Sequence, residues 1–252
     1  MHILAEPRAL AELTEIDPQV PEGTEDRFRG YGVMGLPFDS GHLLALRRFP
    51  ASSLGYGYSS VWHRDPNGRW TFWSDVSPRA SCARFFGEAI DEAVRAPIAV
   101  RWTDARVLRI TVGDGVLDWQ VDLCATPVTA VMNAAAGLLT DGMWRSPRVL
   151  HWLAAAARQL LGVGQVAFTG TVPNGQRFVV NPQRLWLVEA STASLRGRDL
   201  GVPAPLPSQA RLGDFAIPQR GVFALGRSFL EPFDPRRHSD ALVRRGGAGI
   251  AG

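Results

Sequence analysis

The sequence contains no lysine, so every one of its 27 basic side chains is an arginine. Schiff-base enzymes and pyridoxal-phosphate enzymes need a lysine amine. A P-loop needs its Gly-Lys pair, and a protein kinase needs its strand lysine. The absence of lysine therefore excludes these four classes of enzyme, and no cofactor is predicted.

Long apolar runs are missing as well. No run of about 18 apolar residues occurs, so the sequence predicts no membrane-spanning helix. Residues 1–6 lack the basic and then apolar pattern of a signal peptide. The two cysteines, Cys82 and Cys124, stand far apart and do not have the spacing of a disulfide framework. We therefore expect a cytoplasmic protein in which both cysteines are small buried side chains.

Metal-binding and nucleic-acid-binding patterns are also lacking. The five histidines have no metal-ligand spacing, and neither Cys-x-x-Cys nor His-Glu-x-x-His occurs. There is no zinc-finger spacing and no aromatic signature of an RNA-recognition motif. The sequence predicts no metal, no nucleic acid and no membrane as partners, and it leaves the oligomeric state open.

What the sequence does contain is an ordinary globular composition. The chain has 252 residues, 46% of them hydrophobic and 20% charged, which is enough for one large core. Acidic side chains dominate the first residues, whereas arginine and glycine dominate the last ones. We expect a flexible acidic arm at 1–26, a single β-rich domain at 27–231 and a flexible tail at 232–252.

Alternating apolar segments predict a sheet whose strands pair through tight turns. The turns Asp65-Pro66-Asn67-Gly68, Asp114-Gly115 and Pro173-Asn174-Gly175 have the chemistry of hairpin connections. Three local hairpins favour an antiparallel sheet. The predicted strands are 41–49, 58–64, 69–75, 98–102, 107–112, 116–124, 165–171, 176–180 and 185–191.

Three helices are predicted to cover this sheet, near 81–95, 128–139 and 147–161, from apolar positions at helical spacing and from capping residues. The predicted fold class is α+β, mainly antiparallel β, with a single curved or barrel-like sheet. In architecture alone, this arrangement resembles lipocalin-like and acetoacetate-decarboxylase-like proteins. A fold does not determine a function, and decarboxylation in the second group depends on a lysine that this chain lacks.

The Asp114-Gly115 hairpin separates its side chains cleanly by face. With a two-residue loop, Ile110 lies opposite Trp119 on an apolar face, and Arg109 lies on a polar face diagonal to Asp118 and Asp122. Two carboxylates beside a cation are compatible with acid/base chemistry of the glycosidase kind. Clean alternation is more typical of one solvated face with cross-strand ion pairs, and we favour that interpretation.

The Tyr58–Asp75 hairpin carries aromatic side chains on both faces, which is typical of a sheet that is covered on both sides. One face, with Tyr58, is interpreted as packed core. The other face is predicted to line a ligand cavity with an apolar floor and a few orienting polar groups. Its predicted ligand-binding residues are Val61, Thr71 and Trp73, with His63 as a candidate acid/base and Asp75 as the carboxylate that orients it.

A second set of candidates lies in the arginine- and glycine-rich segment 209–221. Arg211 and Arg220 are predicted to clamp a carboxylate of the ligand. The competing interpretation is an ordered crossing segment held by local ion pairs.

Three functional hypotheses follow from these patterns. The first is intracellular binding of a small, largely apolar or aromatic molecule in a barrel-like cavity. The second is a cofactor-independent lyase, isomerase or cyclase that uses His63 as an acid/base. The third is a protein-interaction module that recruits a partner. The sequence leaves open whether any reaction is catalysed.

Overall fold

The computed structural model of the protein describes residues 6–240. Its regular structure is mainly β-strand with a few helices, as the predicted fold class requires. The strands are β1 (Asp26–Val33), β2 (Leu36–Pro37), β3 (Leu43–Ser52), β4 (Tyr58–Arg64), β5 (Trp70–Ser74), β6 (Glu92–Arg95), β7 (Ile98–Trp102), β8 (Val107–Val112), β9 (Leu117–Cys124), β10 (Thr169–Thr171), β11 (Arg177–Leu195), β12 (Arg198–Asp199), β13 (Arg211–Leu212), β14 (Phe215–Ala216) and β15 (Val222–Leu230).

The helices lie between the strands and at the beginning of the described part. Two of them, near 128–139 and 147–161, were predicted and are confirmed. The helices are α1 (Pro7–Ile16), α2 (Ala83–Phe86), α3 (Pro127–Gly137), α4 (Asp141–Trp144) and α5 (Pro147–Leu161), with short 3-10 turns at Pro78–Ala80 and Gly87–Ala89.

The main sheet is strongly curled. Its central path runs β6-β5-β4-β3-β1-β15-β11-β9-β8-β7, and all the pairings on it are antiparallel except β5 with β6. The edges of a flat sheet of ten strands would lie about 43 Å apart. Here the two edge strands follow each other in the chain, and three Cα steps from residue 95 to residue 98 span at most about 11 Å. The sheet therefore bends round until the end of β6 and the beginning of β7 lie close together.

Two β-bulges sharpen this bend in the middle of the sheet. Gly30 of β1 pairs with Gly226 of β15, and the register shifts on either side of this pair, between β1 and β3 and between β11 and β15. A Cβ at Gly30 would overlap the carbonyl oxygen of Arg48, and one at Gly226 would overlap that of Asn181. Glycine is thus required where the neighbouring backbones approach most closely.

The inner face of the sheet is filled with apolar side chains. We call "inner" the face that carries Val61, Ile110, Trp119 and Phe223, because residues from strands at both ends of the sheet belong to one buried cluster there. All four side chains have no exposed surface. The inside of the curl is therefore a packed core.

The opposite face, which we call "outer", is partly covered and partly solvated. Over β1, β3, β4 and β5 it is covered by α2 and by residues 206–217, which pack on Tyr58, Trp62 and Phe72. On β8 and β9 it is open, and there Arg109 forms an exposed ion pair with Asp118. The register predicted for this hairpin, with Ile110 opposite Trp119 and Arg109 opposite Gln120, is confirmed.

The predicted helix at 81–95 is wrong beyond its first turn. Helical geometry covers Ala83–Phe86 and a 3-10 turn at Gly87–Ala89, after which Glu92–Arg95 forms a strand beside β5. The backbone N–H of Asp91 donates to the carbonyl of Trp70. The open edge of β5 offers a ladder of backbone partners to this segment, and Gly87 weakens the continuation of the helix.

The structure describes part of the predicted N-terminal arm and part of the predicted C-terminal tail. Within the segment expected to be a flexible acidic arm, Pro7–Ile16 is a helix, and Glu15 forms an ion pair with Arg48 at 2.6 Å. The ion pair and the burial of Ala11 hold this helix on the sheet, and the flexibility of the arm stays a prediction. Residues 1–5 of the arm and 241–252 of the predicted tail lie outside the described residues.

Among residues 6–240 no helix is both long and apolar enough to cross a membrane.

Candidate functional site

A cavity of about 150 Å³ lies between the outer face and the segments that cover it. Its floor is formed by strands β1, β3, β4, β11 and β15. Its cover comes from α2, the end of α5, residues 163–172 and the β13–β14 hairpin. The cavity is therefore outside the curl of the sheet, whereas a cavity inside a barrel was the expectation.

The floor of the cavity consists of small side chains. Gly30, Gly226, Ala224 and Ser228 line it side by side on β1 and β15. Glycine is required at the bulges because a Cβ there would overlap the neighbouring backbone. Since glycine has no side chain, the space above these positions is left unfilled. A tight backbone approach thus creates room for a ligand.

The walls of the cavity are made largely of aromatic and branched apolar side chains. Trp62 stacks on Phe72 with ring centroids 4.4 Å apart, which holds the wall at one end. Larger apolar side chains that complete the walls are Phe28, Tyr58, Phe85, Phe86, Leu161, Phe168, Phe178 and Phe215.

Arg47 is the charged side chain buried in this wall. It is 5% exposed, and its guanidinium carbon lies 4.5 Å from the ring centre of Trp62. Its Nη1 donates to the carbonyl oxygens of Val33 and Leu46 at 2.8 and 2.9 Å, and its Nη2 donates to that of Met34 at 3.2 Å. Burial lowers the pKa of Arg47 to about 10, so the side chain still carries its charge at neutral pH.

Tyr58 and Cys82 are polar side chains that face the same space. The Tyr58 hydroxyl lies 3.4 Å from the Cys82 sulfur, and burial raises the pKa of both groups. Both are therefore neutral near pH 7. Asn181 on β11 alternates with Val180 of the outer face, so its side chain lies on the other face beside Arg227, where its buried Oδ1 has no hydrogen-bond partner among residues 6–240.

The hairpin predicted to bind the ligand borders the cavity with the opposite face from the predicted one. Its pairing is confirmed, with Val61 opposite Trp73 and His63 opposite Thr71. However, Val61 and Trp73 belong to the packed inner core, while Tyr58 and Trp62, on the face interpreted as core, line the cavity. Alternation predicted which side chains share a face, but it could not tell which face would remain unfilled.

His63 is paired with a histidine instead of a carboxylate. Its Nε2 lies 2.8 Å from Nδ1 of His42, and its ring stacks on Trp73 with centroids 5.6 Å apart. Burial, then His42, lowers the pKa of His63 to about 4, against an opposing effect of Asp65. Near neutral pH the imidazole is therefore uncharged.

Asp75 does not reach His63. Its Oδ1 accepts a hydrogen bond from the backbone N–H of Ser59 at 2.8 Å, so the expected orienting contact is corrected. The hairpin places the carboxylate several residues from the histidine, on a groove shared with Glu15 and Arg48. Whether His63 and Asp75 act in catalysis stays a prediction.

The arginines of segment 209–221 are not on the cavity wall. Arg211 is exposed on β13, and Arg220 is exposed with Nη1 3.4 Å from the carbonyl of Leu161. The segment nevertheless covers the cavity, through Phe215, Ala216 and Pro218. The clamp roles of Arg211 and Arg220 remain predictions.

Sequence reasoning missed Arg47, although a signal for it exists. In β3 the residues Leu43 and Ala45 alternate with Leu44 and Leu46 between two buried faces. Period two places Arg47 on the face of Leu43 and Ala45, in a strand with no solvated side at that point. An arginine inside a doubly apolar strand is the pattern that marks a buried charge.

No metal site is indicated within residues 6–240, where no group of three or more His, Cys, Asp or Glu side chains could hold an ion. Both cysteines are free; Cys82 is buried and Cys124 is partly buried.

No family model matches this chain, and no protein of curated function matches it. Among solved structures, it is similar to the acetoacetate decarboxylase of Legionella pneumophila, with 12% sequence identity over 85% of this chain and 87% of that chain and a TM-score of 0.39. A similarity this distant carries no argument about activity.

Proposed function

We propose that this protein binds a small, largely apolar or aromatic molecule in the outer-face cavity. The observation that carries the proposal is the unfilled space of about 150 Å³ between aromatic walls and a glycine and alanine floor. Protein interiors are normally close-packed, and an apolar cavity of this size takes a molecule about as large as benzene. A pocket with apolar walls and a few convergent polar groups is the usual form of a small-molecule site.

The test is to fill the cavity from its floor. Ala224 lines the floor on β15, so Ala224→Ile places three further carbons in the space. Toluene binding, followed by NMR chemical-shift changes, is expected in the wild-type protein and absent in the variant. Ala190→Ile, on the exposed part of β11, is the matched control and should bind toluene as the wild type does. Equal binding in all three proteins would refute this location.

The hairpin face of Val61, Thr71 and Trp73 stays a competing location for the ligand. Trp73→Ala distinguishes the two. If this variant stays folded and loses toluene while Ala224→Ile keeps it, the inner face is the binding site. We expect the reverse, since Trp73 packs in a filled core.

A second candidate function, recruitment of a protein partner, is favoured by exposed apolar side chains on α3 and α5. Leu138, just after α3, is 82% exposed, and Trp152 on α5 is 78% exposed. Large apolar side chains at the surface often belong to interfaces. Light scattering should then report concentration-dependent association that Trp152→Ser abolishes. A constant molar mass in both proteins would refute self-association through this surface.

Catalysis by His63 and a cytoplasmic location stay predictions from the sequence.

A further inference from the structure

The charge of Arg47 has no carboxylate partner among residues 6–240. Within the described part of the chain no ion pair involves this guanidinium, and the titratable groups that affect its pKa, Tyr58 and Cys82, are neutral. Its face is covered by the Trp62 ring, which leaves the edges of the planar group for hydrogen bonds. The described side chains that line the cavity include no aspartate and no glutamate. A buried arginine is costly unless an anion or a full set of acceptors compensates it.

The acceptors around Arg47 are incomplete. A guanidinium has five N–H donors, and three of them are used by the carbonyl oxygens of Val33, Leu46 and Met34. Within residues 6–240, no acceptor takes the Nε–H or the second N–H of Nη2. In a guanidinium the Nε–H and one N–H of Nη2 lie on the same edge of the planar group, and such an edge matches the two oxygens of a carboxylate.

A second donor lies beside Arg47. The Tyr58 hydroxyl has the Cys82 sulfur as its partner at 3.4 Å, which is a weak hydrogen bond. Because burial raises the pKa of Tyr58, the phenol keeps its proton and can donate to an anion. Arg47 and Tyr58 thus form one donor cluster at one end of an apolar cavity.

We propose that the ligand of this cavity is an apolar monocarboxylate whose carboxylate binds Arg47 and Tyr58. The proposal rests on the proposed function and adds to it the ligand class. The apolar part of the molecule occupies the space over Gly226 and Ala224 and has about the size of one benzene ring. A single negative charge balances the single positive charge of Arg47, whereas a phosphate dianion would leave a buried charge uncompensated.

No second cation competes with Arg47 among the described residues that border the cavity. Arg227 alternates with the floor residues Gly226 and Ser228, so its side chain lies on the other face of β15, where it pairs with Asp141 at 3.4 Å. Asn181 lies opposite Arg227 on β11, and its side chain is likewise on that other face. The unpaired cation of the cavity is therefore Arg47.

The experiment compares two probes of the same shape on the wild-type protein. Phenylacetate and phenylacetamide differ in charge but hardly in size, and isothermal titration calorimetry at pH 7 measures both. We expect phenylacetate to bind about 10- to 100-fold more tightly, because a charge-assisted pair is added. Toluene is the neutral reference that tests the cavity alone.

Two variants assign the preference to residues. Arg47→Met should remove the preference for phenylacetate and keep toluene binding. Because Arg47 also holds three backbone carbonyls, this variant can fail to fold, so Tyr58→Phe provides the second test. It keeps the ring, and it should weaken phenylacetate about 3- to 10-fold and phenylacetamide less, while leaving toluene unchanged.

The outcomes separate the two proposals. If toluene binds but phenylacetate and phenylacetamide bind equally, the carboxylate proposal is wrong and the cavity remains a binding site. If benzylphosphonate binds more tightly than phenylacetate, the ligand is a dianion and the monocarboxylate class is wrong. If none of the probes binds, the proposed function itself fails.

Discussion

The inner face of the curled sheet and the covered part of its outer face are both apolar, yet the first is filled and the second borders a cavity. On the inner face, large side chains such as Ile110, Trp119 and Phe223 converge from all sides and leave no exposed surface. On the outer face, Gly30, Gly226 and Ala224 occupy the middle of the sheet, and the cover of aromatic residues does not reach them. A few small side chains at a bulge therefore decide which face can hold a ligand.

The two faces also differ in the protonation state of the basic side chain that each of them buries. His63 lies on the inner face, where burial lowers its pKa to about 4, so it is neutral near pH 7. Arg47 lies on the outer face and keeps its proton, because burial lowers its pKa only to about 10. A histidine can avoid the cost of burial by losing its charge, whereas an arginine needs compensation from its surroundings. This retained charge next to a cavity is one reason why we propose the outer face as the ligand-binding face.

The largest predicted effect contrasts two leucine deletions. Leu108→Ala removes a fully buried side chain from the inner core and should cost about 3–5 kcal/mol of unfolding free energy, since the surroundings cannot collapse. Leu161→Ala removes a wall of the existing cavity and should cost about 2–3 kcal/mol, because Leu161 already borders empty space. Urea unfolding measures both. Equal costs would mean that the outer cavity is as well packed as the inner core.

The reverse substitution sharpens the same comparison. Ala193→Ile adds carbons to the filled inner face and should destabilise the protein by about 1–3 kcal/mol through overpacking. Ala224→Ile adds the same carbons to the cavity floor, where space exists, and should leave the stability unchanged or raise it. Thermal unfolding of the two variants is the measurement. Similar destabilisation by both would contradict an unfilled outer face.

Local structure was largely predictable from the sequence. The turn at Asp65-Pro66-Asn67-Gly68 has the expected hydrogen bond from Gly68 N–H to the carbonyl of Asp65, and Gly68 has φ +89°. The register of the β8–β9 hairpin is confirmed residue by residue. Turn chemistry and alternation act over a few residues, so they are readable without knowledge of the rest of the chain.

Long-range structure was not predictable in the same way. The segments predicted as strands at 176–180 and 185–191 form the single long strand β11, because bulges let it continue through Pro182. Strands β1 and β15 were missed, although they form the cavity floor. Their pairing joins residues some 200 positions apart, and Gly30, Gly32 and Gly226 lower their apparent β-propensity.

The candidate site was likewise only partly predictable, because its position depends on contacts between segments remote in sequence. Alternation correctly grouped Val61 with Trp73 and Tyr58 with Trp62, but the choice of ligand face depended on what covers each side. That cover comes from α2 and from residues 206–217, which are remote in sequence. The carboxylate-binding roles of Arg211 and Arg220 stay predictions, whereas Arg47 on β3, for which we propose such a role, was missed.

Acidification should reveal the neutral state of His63. An unfolded histidine has a pKa near 6.5, and the folded value is about 4. Above pH 6.5 His63 is unprotonated in both the folded and the unfolded protein. Between about pH 6.5 and pH 4 only the unfolded chain binds a proton at this position, so the free energy of unfolding decreases as the pH is lowered through this window. The loss between pH 7.5 and pH 5 is on the order of 2 kcal/mol. Urea unfolding of His63→Gln should lack this part of the decline, and the exposed His151→Gln should retain it.

The smallest effect is expected at the solvated end of the outer face. Arg109 and Asp118 form an exposed pair, with Nη2 and Oδ2 2.5 Å apart, and the hydrogen bond from Arg109 lowers the pKa of Asp118. Exposed pairs are screened by water and salt, so Arg109→Gln should leave both the urea midpoint and the affinity for phenylacetate unchanged. A loss of binding in this variant would give a function to the solvated strands β8 and β9. The ligand site would then extend beyond the covered half of the sheet, and the contrast between a filled inner face and a single outer cavity would no longer describe the molecule.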